Sequence, residues 1–180
     1  MTSGFDARLP AAEIRPVRPR DRAAIEDFLR ASENFTAEEV GTALELIDEA
    51  LAGDDEYIVN VLSADGRVVG YECHGPASLT VGTYDLYWIA VDPRAQRQGY
   101  GRRLLRAAEE DVARRAGRLL LIETSSKPSY APTVEFYKRN GYHLDARIRD
   151  YYRLGDDKLV FAKEIRNDAY NAHPASDRSN

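Results

Sequence analysis

A single cysteine, Cys73, in 180 residues excludes an intramolecular disulfide and a cysteine-based zinc cluster. Histidine is nearly as scarce. His74 and His143 have no second histidine at ligand spacing and His173 lies close to the C-terminus, so no metal site is expected. There is no apolar run of about 18 residues and no basic stretch leading into an apolar one, so neither a membrane span nor a signal peptide is expected and the default location is the cytoplasm. Basic side chains are outnumbered, 25 to 30, for a net charge of -5. That balance argues against nucleic acid as the main partner and permits a cationic one. Internal repeats and long linkers are absent as well. With 43% hydrophobic residues, the chain can fill the core of one domain. Its polar or Pro/Ala-rich ends read as flexible tails, residues 1–12 and 167–180, flanking a domain at 13–166.

What the chain does have is a loop suited to phosphate. Tyr84-Asp85-Leu86-Tyr87-Trp88-Ile89-Ala90-Val91 is β-branched and aromatic and reads as a strand. After it come Gln96, Arg97, Gln98, Gly99, Tyr100, Gly101, Arg102 and Arg103, and then an amphipathic helix with Leu104, Leu105, Ala108 and Val112 at helical spacing. Glycines there let the backbone approach a ligand without a Cβ in the way. Consecutive amides and the positive end of the helix suit a pyrophosphate. No Gly-Lys-Ser/Thr follows, and Gly99 and Gly101 lack the third glycine of a dinucleotide fingerprint. The pattern that remains is Gln/Arg-x-x-Gly-x-Gly/Ala, with Gln96, Gly99 and Gly101 in its fixed positions.

This loop resembles the coenzyme A loop of the GNAT superfamily of N-acetyltransferases, and the element order fits that family. Glu13 to Val17 resembles its first strand and Arg20 to Ser32 its first helix. Tyr57 to Ser63 and Arg67 to Gly75 form a hairpin about Asp65-Gly66. Tyr84 to Val91 is the fourth strand, Gly101 to Ala116 the long helix, and the apolar run Leu119 to Thr124 a buried fifth strand. Pro132 to Asn140 is a short helix, and Tyr142 to Tyr152 pairs with Lys158 to Ile165 around Gly155-Asp156-Asp157. The resemblance implies an α/β (α+β) fold: a mixed, mostly antiparallel sheet of six to seven strands, splayed between strands 4 and 5, with about four helices. It also implies acetyl-CoA as co-substrate and no metal.

Residue roles follow from the resemblance. The splayed strand would bond the pantetheine arm and polarise the thioester carbonyl through backbone groups at Ile89, Ala90 and Val91. Tyr137, in Glu135-Phe136-Tyr137-Lys138-Arg139-Asn140-Gly141-Tyr142, matches the tyrosine that points at the coenzyme A sulfur, and is the candidate general acid. Read by periodicity alone, it is a packing residue beside Phe136. Where many members carry a coenzyme-binding asparagine, seven residues before this tyrosine, Tyr130 stands, and its hydroxyl or that of Ser129 is the candidate replacement.

An alkylammonium, with a pKa near ~10, must lose a proton before it can attack. Two carboxylates compete as the base: Asp85, six residues before Val91, and Glu123, at the end of the fifth strand; Asp85 is preferred. Nine acids and no basic residue between Glu33 and Glu56 either draw a cationic acceptor or form a solvated helix face. Tyr84, Tyr87, Trp88, Tyr151 and Tyr152 either line an aromatic acceptor pocket or belong to the core. The leading reading is an N-acetyltransferase carrying acetyl from acetyl-CoA to a primary amine of a small cationic molecule, by direct attack in a ternary complex. Alternatives are a protein N-terminal or lysine acetyltransferase and a catalytically silent acyl-CoA-binding module. The partner is then an amine, with no nucleic acid or membrane. The aromatic-rich last strands allow monomer or homodimer.

Overall fold

Asp65 and Gly66, with φ of 49° and 78°, make a tight turn between β2 (Ile58–Ala64) and β3 (Arg67–Pro76). The computed structural model describes residues 12–32 and 34–165. In it this hairpin lies inside one seven-stranded sheet of order β1-β2-β3-β4-β5-β7-β6. The remaining strands are β1 (Ala12–Pro16), β4 (Thr83–Val91), β5 (Leu119–Ser125), β6 (His143–Arg153) and β7 (Asp156–Glu164). Every neighbouring pair is antiparallel except β4 and β5. That parallel pair requires a crossover, supplied by α3 (Tyr100–Arg114). With α1 (Arg22–Ala31), α2 (Ala37–Ala52) and α4 (Ala131–Arg139), the fold is the mixed, mostly antiparallel α/β class expected.

Some boundaries differ from expectation. Ala12, assigned to a tail, pairs with Ala64 as the first residue of β1. The other residues of both tails, and Glu33, lie outside the described residues. Asp156 and Asp157 open β7 rather than forming the turn before it. Their carboxylates explain the shift: Ser125 Oγ donates to Asp156 and the Asp150 amide to Asp157, which holds the hairpin mouth against the end of β5.

Two helical layers sandwich the sheet. Ile25, Phe28 and Leu29 of α1 and Val40, Leu44 and Ile47 of α2 pack on Val59, Val61, Tyr71, Cys73 and Ala90. On the other face, Leu105, Ala108 and Val112 of α3 and Tyr137 of α4 pack on Leu86, Leu120, Ile122, Leu159 and Phe161. α2 starts in a reciprocal cap, Thr36 Oγ1 accepting from the Glu39 amide and the Glu39 carboxylate from the Thr36 amide, and stops at Gly53 with φ of 92°. Among the described residues no helix is long and apolar enough to cross a membrane.

The approach to β2 crosses β3 at a point that admits no side chain. A Cβ on Gly75 would lie 1.9 Å from the Glu56 carbonyl oxygen. Gly75→Ala is therefore expected to destabilise the fold by about 2 kcal/mol, as overpacking against backbone does. Thermal denaturation should read it as a lowered midpoint; an unchanged midpoint would mean that the Glu56 segment yields without cost.

Candidate active site

The sheet opens along one line. β4 and β5 pair only from Thr83–Leu119 to Leu86–Ile122. At that level Cys73 stands opposite Trp88 and His74 opposite Leu86, which leaves Tyr87 as an extra residue in β4. A bulge of this kind bends its strand. From Trp88 onward β4 pairs with β3 and not with β5. Ile89 and Val91 turn their side chains toward the α3 face and Ala90 toward the α1/α2 core, so these residues can offer a ligand only their backbone.

Beyond β4, Asp92 caps a short 3-10 turn by accepting from the Arg94 amide at 2.9 Å, and Arg94 closes on the same carboxylate. Arg97 and Gly99 then take left-handed φ of 64° and 79°. Gly99 is the N-cap of α3 and provides no side-chain cap, so the first amides of the helix keep their free donors. The space where a Gly99 Cβ would stand is open. This combination fits a pyrophosphate. Gln96, Arg97, Gln98 and Arg102 are exposed around it. Two neighbours are occupied elsewhere: Tyr100 is buried with Leu62, Ala95 and Leu104, and the Arg103 guanidinium donates to the Ala12 carbonyl.

The second half of α4 packs against the first turn of α3, with Phe136 3.6 Å from where a Gly101 Cβ would be. Tyr137 follows, 4% exposed, its ring 5.5 to 6.0 Å from those of Phe136, Tyr142 and Phe161. Burial pushes its pKa well up, so the phenol keeps its proton at any working pH.

The carboxylates lie on the other face of the sheet, Asp85 on β4 and Glu123 on β5. Alternation along β4 directs Leu86 toward α3 and Asp85 to the α1/α2 side. Asp85 is half-buried, and its pKa is raised by burial and then by the charge of Glu123, with Lys158 opposing. Both candidate bases therefore share one cluster. Glu123 is held by Lys158 at 2.5 Å, and that ammonium also sits 4.4 Å over the Tyr151 ring. Tyr87 meets Tyr57 edge-on, Trp88 meets Phe35, and Tyr151 meets Tyr152. For Tyr84 the core alternative holds: it packs on the α3 face, 6.5 Å from His74.

Tyr130 has a partner that no motif indicated. Its hydroxyl donates to the Asn34 carbonyl at 2.9 Å, from the start of α4 across to the α1–α2 connection. Within the acidic stretch, Asp48 pairs with Arg22 at 2.6 Å and Glu39 caps its own helix, while Glu38, Glu45, Glu49, Asp54, Asp55 and Glu56 are exposed. Sequence reasoning also passed over a buried cluster. His74 Nδ1 lies 2.7 Å from Glu72, and its Nε2 lies 3.1 Å from Asp111 of α3. The signal was available, since residues two apart on a strand share a face.

A sequence profile of the Acetyltransferase (GNAT) domain matches residues 55–144, half of the chain. A GNAT-family crystal structure from Desulfovibrio desulfuricans superposes with a TM-score of 0.84 at 41% identity, over 87% of this chain and all of that one. Among curated relatives, the S-(2-succino)cysteine N-acetyltransferase of Bacillus subtilis (strain 168) is 27% identical over 53% of this chain, and the match spans 61% of that enzyme. The [ribosomal protein bS18]-alanine N-acetyltransferase of Escherichia coli (strain K12) is also 27% identical, over 62% of this chain and 74% of its own length. The profile covers the cradle loop and the tyrosine of α4 together, and on that ground the chain belongs to the GNAT acetyltransferase family.

Proposed function

We propose that the chain moves an acetyl group from acetyl-CoA to a primary amine of a small cationic molecule, by direct attack in a ternary complex. The observation that carries this reading is the splay itself, with free helix amides on one side and a half-buried carboxylate on the other. Pyrophosphate would rest on the amides from Gln98 to Arg103, and backbone groups at Ile89 and Val91 would hold the pantetheine arm and the thioester carbonyl. Asp85 would take the ammonium proton, directly or through water, and Tyr137 would supply one to the departing thiolate. Glu123 is tied up in an ion pair with Lys158, which leaves Asp85 the freer carboxylate and supports it as the base. A protein N-terminus as acceptor is the second reading, favoured by the likeness to an enzyme named for a ribosomal-protein alanine.

Thiol release from acetyl-CoA, followed over a panel of small cationic amines and of peptides with free N-termini, tests both readings. Turnover of the small amines is expected; turnover of peptides alone would favour the second reading, and no thiol release at all a binding module. With the best acceptor, Asp85→Asn should lose roughly tenfold in kcat/KM at low pH and regain activity toward pH 9, where free amine is less scarce. The acid limb should lie above the usual carboxylate range in wild type and vanish in this variant. If Glu123→Gln alone moves that limb, Glu123 is the base.

A further inference from the structure

Glu72, His74 and Asp111 form a buried unit outside the proposed chemistry. His74 and Glu72 are 0% exposed, and the Asp111 side chain is 14% exposed. The groups facing the ring are Glu72 of β3 on Nδ1, Asp111 of α3 on Nε2 and the Tyr84 ring of β4. Behind them, Asn60 of β2 donates to the second Glu72 oxygen at 2.6 Å, and Arg114 and Arg115 pair with Asp111 at 2.8 and 2.6 Å.

Proton counting decides the state of this cluster. A neutral imidazole has one N–H and one lone pair. Facing two ionised carboxylates, it would aim that lone pair at an oxygen lone pair. Both contacts are hydrogen bonds only when one more proton is present. Asn60 already donates to the second Glu72 oxygen, and Arg114 and Arg115 donate to Asp111, so both carboxylates are placed as acceptors and the extra proton goes to the ring between them. Burial alone would lower the His74 pKa, but Glu72 and then Asp111 outweigh it and the pKa is raised.

Location gives the charge its consequence. His74 sits at the register shift that bulges β4, and Asp111 belongs to the helix whose first turn lies at the cradle loop. We infer that the Glu72–His74–Asp111 triad is a proton-dependent positioning device, in which an imidazolium ties the bulged β3–β4 junction to α3 and fixes the cofactor loop relative to the site of transfer. This rests on the reading of that loop as the coenzyme A cradle. The raised pKa sets the direction: the tie is fully present below the ordinary histidine value and is lost as pH rises through the raised one. Acetyl-CoA binding should then weaken on the alkaline side, by at most about tenfold per pH unit for one proton.

Glu72→Gln separates the proton from the packing. The glutamine oxygen can still accept from Asn60 while its amide donates to Nδ1, so a neutral ring can donate from Nε2 to Asp111 and no extra proton is needed. Nitrogen-15 NMR of histidine-labelled full chain, with resonances assigned through His143→Gln and His173→Gln, reads the ring directly. Acetyl-CoA affinity is followed by calorimetry from pH 7 to 9. The expected result is a His74 imidazolium at pH 7.5 and an alkaline loss of affinity in wild type that flattens in Glu72→Gln. A neutral His74 at pH 7 overturns the protonated triad, and an unchanged alkaline loss in Glu72→Gln overturns the coupling. Failure of the cradle reading is distinguishable: it would leave acetyl-CoA affinity unchanged in Gly99→Val, whereas the imidazolium resonance does not depend on where the cofactor binds.

Discussion

Tyr137→Phe should bind acetyl-CoA as wild type does and turn over on the order of 10²-fold more slowly. The substitution removes one oxygen and keeps the ring, and the ring makes the contacts with Phe136, Tyr142 and Phe161. Folding should therefore be unaffected, and the thermal midpoint is the control. The hydroxyl matters because burial keeps it protonated, so it can donate to a sulfur that gains negative charge as the thioester breaks. Loss of that donor slows the chemistry while the binding contacts survive, so kcat falls and the calorimetric Kd holds. A fully active Phe variant would make Tyr137 a core residue only.

Gly99→Val is expected to weaken acetyl-CoA binding by about 10²-fold. Gly99 holds φ of 79°, where a β-branched residue is strained by ~1–2 kcal/mol. Relief of that strain would turn the following amides away from a bound phosphate, and each charge-assisted bond lost is worth about 1.5–3 kcal/mol. Gly101 differs. Its Cβ would meet Phe136 at an ordinary 3.6 Å and its φ is not left-handed, so Gly101→Val crowds Phe136 without bending the loop and should cost less. Calorimetric titration of both variants orders them. Equal, wild-type affinity in the two would remove the phosphate from this loop.

Features legible in the sequence were those written in neighbouring residues. Asp65-Gly66 specified its hairpin because two adjacent residues must accept positive φ, and both do. The spacing of Gln96, Gly99 and Gly101 specified a strand–loop–helix junction, because turn chemistry and helix periodicity are local. What stayed hidden lies in contacts between distant residues. Tyr130 reaches Asn34 across 96 positions, and His74 reaches Asp111 across 37. Asp85 and Glu123 read as rivals, yet the parallel register of β4 and β5 brings them into a single electrostatic unit with Lys158. For Tyr84 the core alternative holds, and strand alternation, applied strictly, separates it from Asp85.

The short β4–β5 ladder also has a meaning for motion. Four paired positions join two halves whose own strands are knit by hairpins along most of their length. Cohesion across that seam is thus delegated to α3, α4 and the side chains beneath them, and amides along it are the ones to exchange first in any opening short of global unfolding. A bound acyl donor that bonded β4 on one lip and met Tyr137 on the other would stitch the halves together where the backbone does not. The protein would be most rigid along this seam while it held its substrate, and loosest there once the product had left.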